Sequence, residues 1–254
     1  MTSISMEYLS GAMTRVVRVQ ILLPHEGMHP ERSVIPPWKT LYFLPGMTEN
    51  AYTIHHNIQL PAMVQEHGIA VVIPDGENSY YVNNEKRNAR YEDYAGEELV
   101  RETRKLFPLS QRREDTWIGG ISMGGFGAMM IGARHRDIFS KIAALSPAIH
   151  PYEMVDQQVM PEALMEDVFG SRAAYLREYD PANLLIAMRD RQQTIPDIFI
   201  RCGTEDRLTY QVCHKFSQRM TERGIPLDYA EAPGEHNHWF WNRQLQDMMK
   251  FLKK

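Results

Sequence analysis

Ser122 stands in the run Gly120-Ile121-Ser122-Met123-Gly124, behind the short apolar stretch Thr116-Trp117-Ile118 and ahead of Gly125-Phe126-Gly127-Ala128-Met129-Met130-Ile131, which reads as a helix. Strand, tight Gly-x-Ser-x-Gly turn, then helix is the context a nucleophile elbow requires. The turn is so sharp that side chains flanking the serine would collide, which calls for glycine on either side. A helix opening at the serine also offers free amides to a developing negative charge. The chemistry this suggests is nucleophilic attack by a hydroxyl.

A serine at neutral pH is a poor nucleophile and needs a base within hydrogen-bond reach, oriented by a carboxylate. In chains built around such an elbow the order is Ser, then Asp or Glu, then His. Pro196-Asp197-Ile198-Phe199-Ile200-Arg201-Cys202-Gly203 reads as a buried strand, and Thr204-Glu205-Asp206-Arg207-Leu208 as the loop at its end. Asp206 is the preferred acid because it stands later in that loop, with Glu205 as the alternative. Pro226-Leu227-Asp228-Tyr229-Ala230-Glu231 is a further strand, followed by Ala232-Pro233-Gly234-Glu235-His236-Asn237-His238 and a terminal helix from about Trp239 to Leu252. His236 is favoured over His238 by Pro233-Gly234, which shape the turn that would aim it. Acid and histidine thus both fall on loops after strands, where an open α/β sheet places its working groups.

The negative charge of a tetrahedral intermediate needs aimed donors, and losing one typically costs ~100- to 1,000-fold in rate. Thr40-Leu41-Tyr42-Phe43-Leu44 is a strand, and Pro45-Gly46-Met47-Thr48-Glu49-Asn50 the loop after it. The backbone amides of Met47 and of Met123, the residue after the nucleophile, are the expected donors.

Over nearly its whole length the chain resembles the esterase D (S-formylglutathione hydrolase-like) family of α/β-hydrolases, and within it most nearly the small bacterial tributyrin esterases. The resemblance is carried by Leu41-Tyr42-Phe43-Leu44-Pro45-Gly46-Met47, by Pro74-Asp75-Gly76-Glu77-Asn78-Ser79-Tyr80-Tyr81, and by Tyr91-Glu92-Asp93-Tyr94 through Glu97-Glu98-Leu99. It continues through Gly120-Ile121-Ser122-Met123-Gly124-Gly125, Val168-Phe169-Gly170, Cys202-Gly203-Thr204-Glu205-Asp206, and Pro233-Gly234-Glu235-His236 with Phe240-Trp241. It implies Ser122, Asp206 and His236 as the triad, and Tyr80 and Tyr81 as residues lining a substrate pocket. Pro45 replaces a histidine usual in the family before the oxyanion glycine, and His238 a tryptophan two residues after the catalytic histidine. Both departures bear on the pocket, so reaction type follows from the resemblance more firmly than substrate preference. Relatives form oligomers, which leaves a homo-oligomer open here.

The elements that must position these groups alternate in type. Val16-Val17-Arg18-Val19-Gln20-Ile21-Leu22-Leu23 reads as an outer antiparallel strand, and Pro24 to Trp38, with four prolines, as a connecting loop. Ala70-Val71-Val72-Ile73 and Ile142-Ala143-Ala144-Leu145 are all-apolar strands of the kind found in sheets covered on both faces. Tyr94 to Phe107 carries a helical pattern with Glu97 and Glu98 toward its start and Arg104 and Lys105 toward its end. The expected architecture is an α/β-hydrolase fold, a mostly parallel sheet with helices on both faces, in one domain spanning 1–254. His150 to about Arg189 breaks the alternation with helical pieces only and is either a candidate cap or a pair of packing helices, with Asp180-Pro181 marking one helix start.

Composition narrows the function classes. With 254 residues, 43% hydrophobic, 24% charged and a net charge of -4, the chain has the balance of a globular domain and no polybasic signature, so neither nucleic acid nor membrane is an expected partner. No signal peptide and no membrane-length apolar run is visible, and the two cysteines, Cys202 and Cys213, read as buried thiols, which gives a cytoplasmic expectation. His55-His56 lacks a third ligand at metal spacing, so no metal and no cofactor is called for. The expected activity is a serine carboxylesterase acting through an acyl-enzyme on small-molecule esters with short acyl chains, acetyl to butyryl, including acetylated sugars. S-formylglutathione or feruloyl ester hydrolysis is the alternative within that chemistry. A noncatalytic binding protein of the same fold is the alternative outside it.

Overall fold

Along Leu41-Tyr42-Phe43-Leu44, successive side chains enter different cores: Leu41 and Phe43 join one apolar cluster, Tyr42 and Leu44 the other. That is the two-residue period of a strand buried on both faces, and it explains why the central strands carry no polar alternation. The structure is a computed structural model that describes residues 1–25 and 34–254. Most of the expected loop from Pro24 to Trp38 therefore lies outside the described residues.

The strands of the main sheet are β1 (Thr2–Ser10), β2 (Arg15–Leu23), β3 (Thr40–Leu44), β4 (Ala70–Pro74), β5 (Thr116–Ile121), β6 (Lys141–Leu145), β7 (Asp197–Gly203) and β8 (Asp228–Ala232). They form one eight-stranded sheet in the order β1-β2-β4-β3-β5-β6-β7-β8. β1 and β2 are antiparallel to their neighbours, and every pairing from β4 onward is parallel. The strand expected at the antiparallel edge is β2, but it lies one place in. Outside it β1 pairs residue for residue from Thr2 with Leu23 to Ser10 with Arg15. Ile4, Met6 and Tyr8 of β1 pack on the core while its other face stays open, as an edge strand allows.

Helices α1 (Ala51–Asn57) and α2 (Leu60–His67) link β3 to β4. Between β4 and β5, α3 (Tyr91–Asp93) runs through a π-helical turn (Tyr94–Glu98) into α4 (Leu99–Leu106). Because this helix starts at Tyr91, the acids in its first turn are Glu92 and Asp93, and Glu97 and Glu98 lie mid-helix; Arg104 and Lys105 do occupy the last turn. α5 (Met123–Arg134) follows β5. The segment after β6 is wholly helical, with α6 (Pro151–Asp156), α7 (Glu162–Phe169), α8 (Arg172–Ala174) leading into a second π turn, and α9 (Pro181–Asp190). Asp180 caps α9 by accepting the Asn183 amide at 2.8 Å, with Pro181 at the first helical position. α10 (Tyr210–Glu222) joins β7 to β8, and α11 (His238–Lys253) ends the chain.

α1, α2 and α11 cover one face of the sheet through Ile54, Leu60, Val64, Leu245 and Met248, and α4, α5, α9 and α10 cover the other through Leu99, Met129, Leu185, Phe216 and Met220. Phe169, Tyr152 and Tyr175 from the helical segment meet Phe126 of α5 and Tyr80 in a continuous aromatic cluster, with ring centroids 5.1–6.3 Å apart. Edge-on and tilted pairs of this kind dock the segment onto the sheet domain. No helix among the described residues is long and apolar enough to cross a membrane.

Candidate active site

The loops carrying the chemistry-bearing residues all leave the carboxyl ends of parallel strands: Pro45-Gly46-Met47 after β3, Ser122 after β5, Asp206 after β7 and His236 after β8. This is where an open α/β sheet offers a crevice to ligands. Ser122 occupies the step from β5 into α5 with φ 52 and ψ -118, a left-handed backbone that a non-glycine residue rarely adopts. The turn is locked from outside: the Ser122 amide donates to the Leu145 carbonyl at 3.0 Å, and the Ser122 carbonyl accepts from the amides of Phe126 and Ala148, each at 3.0 Å. Its flanking glycines are required by close approach. A Cβ on Gly124 would lie 2.0 Å from the Leu44 carbonyl oxygen, and one on Gly120 would lie 2.6 Å from the Gly124 backbone.

His236 bridges the other two residues. Its Nε2 lies 2.9 Å from Ser122 Oγ and its Nδ1 2.7 Å from Asp206 Oδ2. A carboxylate can only accept, so Nδ1 carries the proton and Nε2 is left to accept from the serine hydroxyl. Asp206 is buried and fully occupied: Oδ1 accepts the amides of Leu208 at 3.0 Å and Thr209 at 2.9 Å, and Oδ2 accepts the Thr209 hydroxyl at 2.7 Å. Burial alone would raise the pKa of this carboxyl, but the hydrogen bond and positive field of His236, with the two Thr209 bonds, outweigh it and hold the group below the ordinary carboxylate range. The alternative acid, Glu205, turns away from the imidazole. It accepts the Gly234 amide and the Thr204 hydroxyl, while the Glu205 amide donates back to the Gly234 carbonyl at 3.0 Å. Glu205 thus ties the acid loop to the histidine loop.

The loop after β3 singles out one amide. Gly46 N–H donates to Glu49 Oε2 at 3.3 Å, Thr48 to Asn78 Oδ1 at 3.0 Å, Glu49 to the Gly46 carbonyl at 3.3 Å, Asn50 to Thr53 Oγ1 at 2.9 Å and Ala51 to Asp75 Oδ1 at 2.7 Å. Met47 N–H, in the middle of that series, donates to none of the described residues. Met123 N–H, first in α5, likewise has no acceptor within its helix, as the first turn of any helix requires. Two free amides therefore stand on the two loops that flank Ser122. Tyr81 is fully buried and donates its hydroxyl to the Pro45 carbonyl at 3.0 Å, so this side chain braces the loop after β3 and has no free polar tip. Tyr80 is equally buried, with its amide against Met123 Sδ at 3.4 Å and its ring in the aromatic cluster. A groove of about 550 Å³ lined by Arg15, Asn78, Ser79 and Val168 adjoins the loop after β3 through Asn78 but includes none of Ser122, Asp206 and His236.

Thr209, Glu49 and Asn78 support the site without having been singled out in the sequence. A hydroxyl three positions past an acid carries no signal of its own. Glu49 and Asn78 lie within stretches that the sequence did single out, but what each holds depends on loops meeting in space. Among the described residues no cluster of histidine, cysteine, aspartate or glutamate has the arrangement of a metal site. Cys202 and Cys213 are both buried and unbridged.

Known proteins share this framework. The family model described as Putative esterase matches residues 10–252. An acetyl esterase of Caldicellulosiruptor saccharolyticus is 30% identical over 227 residues, covering 85% of this chain and 84% of that protein. Among solved structures, the fluorophosphonate-binding serine hydrolase FphF of Staphylococcus aureus superposes with a TM-score of 0.88 at 26% identity, covering 100% of this chain and 98% of that one. The S-formylglutathione hydrolase FrmB of Staphylococcus aureus gives 0.85 at 26% identity, covering 100% and 99%. With an eight-stranded α/β-hydrolase sheet, a family match across almost its full length and serine hydrolases as neighbours, the chain belongs to the Putative esterase family and is a serine carboxylic ester hydrolase.

Proposed function

We propose that Ser122, His236 and Asp206 are the catalytic triad of a carboxylesterase for short-chain acyl esters, acetyl to butyryl, including acetyl groups on sugars. The reading is carried by the unbroken path from Ser122 Oγ through His236 to Asp206, at 2.9 and 2.7 Å. Ser122 Oγ attacks the ester carbonyl while His236 Nε2 takes its proton. The carbonyl oxygen becomes an oxyanion between the amides of Met47 and Met123. Collapse of the intermediate breaks the bond to the alcohol, which leaves with the proton from His236, and the acyl group stays on Ser122. Water then repeats the sequence, with His236 as base, and releases the acid. Asp206 stays ionised throughout, holding the tautomer and stabilising the imidazolium.

The acetyl esterase relative supports the short-chain preference. The test is hydrolysis of p-nitrophenyl acetate, butyrate and octanoate by the wild type and Ser122→Ala. Expected are acetate and butyrate turned over faster than octanoate, and a loss of at least ~1,000-fold in Ser122→Ala. Octanoate turned over as fast as acetate removes the short-chain preference, and an active Ser122→Ala removes the triad. A second reading, hydrolysis of S-formylglutathione, is favoured by the likeness to FrmB. Higher kcat/KM for that thioester than for any oxygen ester would select it.

A further inference from the structure

His238 is the first residue of α11, two positions past His236, and its Nε2 donates to Glu49 Oε1 at 2.6 Å across 189 residues of chain. The other oxygen of the same carboxylate, Oε2, accepts the Gly46 amide at 3.3 Å. Glu49 thereby closes the turn from Gly46 to Glu49, which contains the unpaired Met47 amide, and its side chain is only 14% exposed. On the far side, the His238 ring stands edge-on to Trp241 at 5.3 Å, and the His236 ring stands edge-on to the same indole at 5.1 Å. A continuous strap thus runs from the oxyanion turn through Glu49, His238 and Trp241 to His236.

We propose that Glu49 and His238 act as a pair of positioning residues for the Met47 amide, resting on the reading of that amide as an oxyanion donor. The pair does two things. It fixes the turn so that the Met47 N–H points at the position the oxyanion will occupy, where a small misplacement costs much of the rate. It also gives the Glu49 carboxylate a hydrogen-bond donor, without which its negative charge would stand unpaired near the developing oxyanion, a like-charge contact that opposes the transition state far more than the neutral ester. His238 needs no contact with substrate for either effect.

Purified full-length protein hydrolysing p-nitrophenyl acetate, with folding checked by circular dichroism melting, tests this. His238→Ala is expected to lower kcat ~10-fold with KM within ~3-fold, the pattern of an interaction expressed in the transition state. His238→Gln, whose amide nitrogen can still donate to Glu49, should stay within ~3-fold of wild type. The double variant His238→Ala with Glu49→Gln should be faster than His238→Ala alone, because no unpaired carboxylate is left; simple packing loss would make it slower. Should His238→Ala not fold, His238→Asn, too short to reach Glu49, takes its place with the same expectation. Unchanged kcat, a loss confined to KM, or a double variant no faster than the single one overturns the proposal. Ser122→Ala separates the two readings: if it is inactive while the His238 variants match wild type, the strap falls and the triad stands, and if it is active the triad falls.

Discussion

Thr209 holds Asp206 in its charged form with hydrogen bonds. Its amide and hydroxyl take one bond to each carboxylate oxygen at 2.9 and 2.7 Å, inside a part of the molecule closed to solvent. Removing the hydroxyl in Thr209→Val keeps the shape of the side chain and deletes a bond to a buried charge, at a cost of ~1.5–3 kcal/mol near neutral pH. The pH dependence has a definite sign. A carboxyl depressed in the folded state stabilises the fold fully above its unfolded value of ~3.9, and that stabilisation disappears as pH falls through the lower folded value. The stability gap between wild type and Thr209→Val in urea unfolding should therefore be constant above about pH 5 and narrow as the buffer is acidified below ~4. A gap that widens on acidification would mean that Asp206 does not bear the charge. At this scale the serine, acid and histidine were legible because chemistry restricts their types and order. Thr209 and Glu49 were not, since a hydrogen-bond partner is defined by where loops meet.

The elbow is where strand and helix geometry meet the reaction. α5 presses so close to the end of β3 that an added Cβ at Gly124 would fall 2.0 Å from the Leu44 oxygen and 2.5 Å from the Pro45 oxygen. In Gly124→Ala either the start of α5 or the end of β3 must move, and these two ends carry the Met123 and Met47 amides. The expected result is ~100-fold or more lost from kcat, with a stability cost of ~1–3 kcal/mol, compared by kinetics and urea unfolding on one preparation. A variant that loses stability alone would detach the oxyanion geometry from this contact. Strands such as Thr40–Leu44 were readable because Leu41 to Leu44 form an unbroken apolar run between clear breaks. The edge strand Thr2–Ser10 was passed over because only alternate residues are covered, which leaves the segment polar on average. The π turn at Tyr94–Glu98 was hidden for another reason: an i to i+5 bond adds a residue to one turn without altering the helical composition around it.

For the molecule as a whole, the sheet separates two cores, and the site lies at one rim of both. The core under α11 includes Met248, fully buried and well down the helix from His238. Met248→Ala should cost ~2–5 kcal/mol in urea unfolding, yet leave kcat for p-nitrophenyl acetate within ~2-fold of wild type while the protein remains folded. A large fall in kcat at full folding would show that packing under α11 reaches the His236 loop. The parallel sheet, both helical layers and the strand ends bearing Ser122, Asp206 and His236 could be read from apolar runs and glycine breaks. The ordering of the sheet edge and the docking of the helices between His150 and Arg189 could not, because both depend on partners distant in the chain, such as Phe169 against Tyr80.

The left-handed backbone at Ser122 has a consequence for evolvability. Its φ of 52 and ψ of -118 suit glycine, and a residue with a Cβ held there typically carries a strain of ~1–3 kcal/mol. Ser122→Gly, which removes the proposed nucleophile, should therefore give an inactive protein with a hardier fold, melting a few degrees above its parent at ~2–4 °C for each kcal/mol relieved. Random substitution screened for thermal tolerance alone would then favour loss of the proposed nucleophile at this codon.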